Sequence, residues 1–156
     1  MVQLPVLKAK TAKTDKTRAP RAKKLDTFVE QVVIDEPGRL SFTLPIKTIS
    51  EANKGGEHWT KRYKRQEDQK TIIYYAIRSH IDKLKLPCTV TFKRYGPKLM
   101  DAHDNLPACF KRLVDYIAEL LTGKTKGRGD SDPRITWKYD QEKCKSYGIS
   151  IVFEFA

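Results

Sequence analysis

The chain has 156 residues and a mass of 18.0 kDa, with 31 Lys and Arg against 19 Asp and Glu, a net charge of +12 and a pI near 9.6. That length fits one domain with a core of its own plus a tail, and the charge points to a polyanionic partner, nucleic acid above all. Three cysteines without a CxxC pair argue against a zinc ribbon, and an apolar run of the ~20 residues a membrane span needs is absent. With an odd cysteine count and no secretion signal, the expectation is a soluble protein of a reducing cytoplasm, with no membrane partner.

Residues 1–26 carry six Lys and two Arg against two Asp, with no aromatic residue. They read as a basic disordered tail that holds phosphates, or as a solvated arm. The folded domain is expected over residues 27–156. "FVEQVVI" (28–34) and "RLSFTLPI" (39–46) are rich in β-branched and aromatic residues, and "DEPG" between them is turn chemistry, so a hairpin is expected.

Gly55 and Gly56 mark a loop, and residues 58–84 then have helical spacing. Ile73, Ile77, Ile81 and Leu84 form the expected core stripe of that helix. Its first half is different: Lys61, Arg62, Lys64 and Arg65 surround Trp59 and Tyr63. Arg and Lys can hold phosphates and exposed aromatics can stack on unpaired bases. The alternative is a solvated face with both aromatics in the core.

"CTVTFKRYG" (88–96) alternates like a strand, and residues 105–121 form an amphipathic helix with Leu106, Phe110, Leu113, Ile117 and Leu120 on one face. Asp104 or Asn105 suits its N-cap, and Pro107 is tolerated in its first turn. A basic Gly-rich loop ends in "DSDP". "RITWKYDQEK" and "YGISIVFEF" read as two closing strands, paired antiparallel across "EKCKSYG". The order β-β-α-β-α-β-β predicts a small α/β (α+β) domain with a mixed sheet of about five strands and two helices.

Four acids frame the second helix: Asp101 and Asp104 before it, Asp130 and Asp132 after it. If the helix returns the chain to the sheet, the two pairs converge. Clustered carboxylates stay ionised around a divalent cation, and Mg²⁺ takes oxygen ligands and activates water toward phosphodiesters. The plainer alternative makes Asp104 a helix cap and "DSDP" a turn. His103 stands between the two leading acids; His58 and His80 lack ligand spacing. "GKT" lacks the earlier glycine and strand of a phosphate-binding loop.

In these residues the C-terminal half resembles the RusA-like Holliday-junction resolvases. "HDNL" (103–106) is similar to the later part of that family's D-x-D-N-L signature at a helix start. "DSDPRITWKYDQEK" (130–143) is similar to the segment with its third acid, with Asp132 the best match. "ISEANKGGEHWTKRYKRQ" (49–66) is similar to its early loop and basic helix. The resemblance spans roughly residues 39–155. It implies a homodimeric, Mg²⁺-dependent endonuclease that cuts four-way DNA junctions symmetrically in recombination and repair, with no small-molecule cofactor. A two-fold protein suits a two-fold substrate. If the source is a phage or prophage, the site of action is the bacterial host's cytoplasm.

By matching position, Asp104 and Asp132 are implied metal ligands, and Asn105 orients the loop or caps the helix. The family's first Asp falls at Ala102 here, with Asp101 one residue earlier as the substitute. The family's Lys, four residues after the second Asp, falls at Ala108. Lys111, about two helical turns beyond Asp104, is the replacement that reaches the scissile phosphate, or else the i, i+4 partner of Asp115. Asp130 is held in reserve or in an outer shell. Lys61, Arg62, Lys64, Arg65, Trp59 and Asn105 are the expected nucleic-acid contacts. A non-catalytic basic DNA-binding protein of the same fold is the alternative, and a structural assembly protein a more distant one.

Overall fold

The computed structural model describes residues 31–50, 55–124 and 128–156. The predicted tail (1–26) and the start of the first predicted strand (28–30) lie outside the described residues.

Two strands open the fold: β1 (Val32–Glu36) and β2 (Arg39–Leu44), antiparallel about a turn at Pro37 and Gly38. Gly38 has φ 76°, the left-handed conformation glycine adopts without a Cβ penalty. α1 (Trp59–Ile77) follows, with His58 as N-cap, its Nδ1 accepting from the Thr60 N–H at 3.3 Å. A 3-10 helix, Arg78–Lys83, continues it. Then come β3 (Cys88–Gly96), α2 (Asn105–Thr122), β4 (Ile135–Lys143) and β5 (Gly148–Phe155). Gly123, at φ 71°, ends α2 by donating its N–H to Glu119 O at 2.9 Å. The predicted order of elements holds, and the domain is a mixed five-stranded sheet with two α-helices.

One expected pairing is corrected. β4 and β5 do not form a hairpin: the strand order is β1-β2-β5-β3-β4, with β3 between them. β3 pairs parallel with β4 and antiparallel with β5. The cause is α2, a crossover long enough to bring β4 back parallel to β3. The short β4–β5 connection then crosses the end of β3, where the Cys144 N–H donates to Gly96 O at 2.8 Å.

One face of the sheet carries Leu40, Phe42 and Leu44, then Ile149, Ile151 and Phe153, then Val90 and Phe92. Both helices close this face in one core. α1 contributes only Ile73, Ala76 and Ile77, whereas α2 buries Leu106, Phe110, Leu113 and Ile117 among others. Phe92 and Phe110 meet with ring centroids 5.0 Å apart. Each large side chain buried this way contributes about 1.5–3 kcal/mol. Of the predicted stripe, Ile73 and Ile77 are buried and Leu84 packs against the core, but the helix tightens to 3-10 at Arg78 and Ile81 is 40% exposed. Leu120 packs at the margin of the core. The other face of the sheet is polar, with Ser150 hydrogen-bonded to Thr43 and Tyr95.

Candidate functional site

The acidic loop between β3 and α2 is fixed from below by two polar side chains. Arg94 falls on the buried face of β3 because every second residue of that strand does. Its Nη1 donates to Lys98 O at 2.8 Å. Gln141 on β4 grips Met100 twice: its Oε1 accepts the Met100 N–H at 2.8 Å and its Nε2 donates to Met100 O at 2.7 Å. Residue 101 is thereby set in place. Asp101 Oδ1 accepts the His103 N–H at 2.8 Å, and Asp101 O accepts the Leu106 N–H at 2.9 Å.

Asp104 occupies the N-cap position of α2, but its side chain makes no capping hydrogen bond. Its carboxylate is exposed and uncommitted to the helix. Asn105 instead ties α2 to the preceding chain, its Oδ1 accepting from Ser50 Oγ at 2.8 Å.

The acids after α2 part company. Asp130 meets Lys111, whose Nζ donates to Asp130 Oδ2 at 2.6 Å and to Asp115 Oδ1 at 3.0 Å. The two carboxylate oxygens therefore lie no farther apart than the sum of those bonds. The hydrogen bond from Lys111 holds the Asp130 carboxyl below its ordinary range, and the two acids together raise the lysine. The Trp137 indole N–H donates to Asp130 O at 2.9 Å and anchors this turn on β4.

Asp132 is buried and bound by Arg134, which donates Nε to Oδ1 at 3.0 Å and Nη2 to Oδ2 at 2.8 Å. The Arg134 backbone N–H adds a third bond at 3.0 Å, and Lys124 Nζ stands 3.5 Å away. These bonds drive the Asp132 carboxyl well below the usual carboxylate range, the Arg134 guanidinium being the largest cause.

The four acids picked out from sequence thus occupy three settings. Among the described residues, no three His, Cys, Asp or Glu side chains form a group that could hold a metal ion. Asp104 and Asp115 are separated by about 16 Å of helix rise, too far to share an ion at ~2.1 Å bonds. Asp132 can serve as a ligand only by releasing Arg134. Asp115 is the acid that joins Asp130, and its signal in sequence was the i, i+4 spacing to Lys111.

The basic, aromatic half of α1 divides too. Trp59 and Tyr63 stay out of the core, 70% and 57% exposed, and Lys61 and Lys64 are exposed beside them. Arg62 is half-buried and lines the cleft between α1 and α2. Arg65 is held by Glu57 through two bonds of 3.0 and 2.9 Å. The cleft has a section of about 280 Å³ reaching Lys111 and Asp115 and an adjoining section of about 120 Å³ between Tyr63 and Tyr116. Arg112 Nε donates to Gln66 Oε1 at 3.0 Å where the two meet.

The chain matches no protein-family model, and no curated protein matches it. Among the described residues no helix is long and apolar enough to cross a membrane.

Proposed function

We propose that the protein is a DNA-binding endonuclease of the RusA-like type, acting on branched DNA as a homodimer. The observation that carries the reading is the Lys111 ammonium between two carboxylates, in a cleft that Arg62 and Arg112 also line, beside the exposed Trp59, Lys61, Tyr63 and Lys64 of α1. Mg²⁺ ordinarily takes one or two carboxylates from a protein and fills its remaining positions with waters and phosphate oxygens. Asp115 and Asp130 are the pair that fits this demand. When bound, Mg²⁺ supplies an activated water and offsets charge on the phosphodiester.

The chain's own residues do the rest in this reading. Lys111 moves from the two acids toward the scissile phosphate and stabilises its developing charge. Lys61 and Lys64 hold the backbone without reading sequence. Asp101 and Asp104 form a second acidic position at the helix mouth. Asp132 anchors the loop that presents Asp130.

A second reading, binding without cleavage, has an observation in its favour. The Lys111 ammonium already offsets one of the two charges of Asp115 and Asp130, and the acids picked out from sequence fall in separate settings. Synthetic four-way junctions and linear duplexes, incubated in Mg²⁺ or in EDTA, decide between the two. The endonuclease nicks junctions only with metal and loses this in Asp130→Asn. Tight junction binding without nicking establishes the binding protein. Equal affinity for junction and duplex sinks both. Light scattering on the purified chain tests the dimer.

A further inference from the structure

The α1–α2 cleft has features that a duplex does not require. Trp59 and Tyr63 are four residues apart, so they share a helix face, and both stand exposed at its outer end. The indole is oriented by its neighbour: the His58 ring stacks on Trp59 at 5.9 Å and 29°, and His58 Nδ1 is in turn 2.7 Å from Thr60 Oγ1. An oriented, solvent-facing aromatic pair between lysines matches unpaired bases, because bases inside a duplex already stack on each other.

Duplex readout by α1 is disfavoured by the arginines. Bidentate reading of a base pair in the major groove is the work of Arg, Asn or Gln side chains that project freely. Arg62 lines the cleft and Arg65 is held by Glu57. The exposed cations on this turn are Lys61 and Lys64, which suit phosphates. Beyond Tyr63 the cleft continues past Lys70, whose Nζ lies 5.1 Å over the Tyr116 ring, and past Arg112 to Lys111, with Glu67, Asp115 and Glu119 also on its walls. Its two sections, about 120 and 280 Å³, admit a base or a sugar-phosphate but not a double helix.

We propose that the α1–α2 cleft binds a single DNA strand, with successive bases stacked on Trp59 and Tyr63 and the backbone led by Lys70 and Arg112 toward Lys111. This rests on the nucleic-acid part of the preceding reading and not on cleavage. The substrate it selects is branched DNA with unpaired nucleotides beside the branch point.

The experiment is a fluorescence titration in EDTA with oligo-dT, which does not pair with itself, and with a duplex of equal length. The chain has two tryptophans, and Trp137 is half-buried against Phe92 with its N–H bonded to Asp130 O. Quenching by oligo-dT that disappears in Trp59→Phe therefore reports stacking on Trp59. Trp59→Ala and Tyr63→Ala are each expected to weaken oligo-dT binding about tenfold or more, and to change duplex binding less than about twofold. Binding without quenching, or equal loss on both substrates, overturns the proposal. Failure to nick junctions in Mg²⁺ with oligo-dT binding intact overturns the endonuclease and leaves the strand cleft. Nicking without oligo-dT binding does the reverse.

Discussion

Lys111 and Asp130 are joined by a 2.6 Å hydrogen bond across 19 residues, and Asp115 completes the cluster from one turn further along α2. If the lysine holds the place of a bound cation, removing it should create affinity for one. Lys111→Met leaves two carboxylates facing each other without their shared ammonium, an arrangement that favours a divalent ion. Lys111 is largely exposed, so the loss of its bonds should cost no more than about 1 kcal/mol. The expected result is a small drop in melting temperature in EDTA that millimolar Mg²⁺ or Mn²⁺ restores, with little response in the unmodified protein. A variant indifferent to metal shows that Asp115 and Asp130 are not a cation position.

Which parts of this site could be read ahead of the structure follows from the range of the interactions. The strand at residues 88–96 and the helix at 105–121 announce themselves by period 2 and period 3.6, since both periods are local. The same alternation places Arg94 on the buried face, but a search for apolar residues passes over it. The β4–β5 arrangement is not legible, because a short connection reads as a hairpin and only the α2 crossover puts β3 between them. Asp132 matched the third acid by position, yet Arg134, two residues on, captures it. Asp115 read as an ordinary helix-surface partner of Lys111, and the fold alone brings Asp130 to the same ammonium.

Arg94 and Gly96 are coupled by space. A Cβ at Gly96 falls 2.9 Å from Nη2 and 3.0 Å from Nη1 of Arg94, so the glycine leaves room for the guanidinium to fold over the strand end. Gly96→Ala should cost about 1–3 kcal/mol by overpacking. Arg94 is 4% exposed, its Nε has no hydrogen-bond partner, and it has no carboxylate partner among the described residues. Arg94→Met removes a charge-assisted bond worth about 1.5–3 kcal/mol and relieves a buried charge of comparable cost. Global stability should therefore change by less than about 1 kcal/mol, while amide exchange across residues 98–104 accelerates. A double-mutant cycle should show that the Gly96→Ala penalty shrinks in the Arg94→Met background. Additive effects would mean that the two residues do not share that space.

The Asp132–Arg134 pair sets an acid limb on stability. A carboxyl whose folded pKa is depressed contributes stability that is full above its unfolded pKa, about 4, and is lost as pH falls through the folded value. Asp132 is depressed chiefly by Arg134, and Asp130 is depressed by Lys111. The urea midpoint should therefore hold steady from neutral pH to about pH 4 and fall steeply below it. Arg134→Ala should lower the midpoint at pH 7 and flatten the fall below pH 4, since Asp132 remains but the guanidinium that depresses it is gone. An unchanged slope in Arg134→Ala would assign the acid limb to other carboxylates.

Cysteine chemistry reports on the mouth of α2. Burial pushes the Cys109 thiol up to about 11, more than its polar neighbours, the Arg94 charge among them, bring it down. Its S–H donates to Leu106 O at 3.0 Å. Burial raises Cys88 as well. Only the thiolate attacks a disulfide reagent, so at pH 8 both should be silent in the folded protein. Cys144, half-buried in the β4–β5 connection, should react first. The expected titration is one thiol of three in the native state and three in denaturant. Any native labelling of Cys109 then measures opening of the first turns of α2. Its rate should rise in Arg94→Met, where the loop bearing Asp101 and Asp104 has lost its anchor at Lys98, and an unchanged rate would show that Arg94 does not restrain that end of the helix.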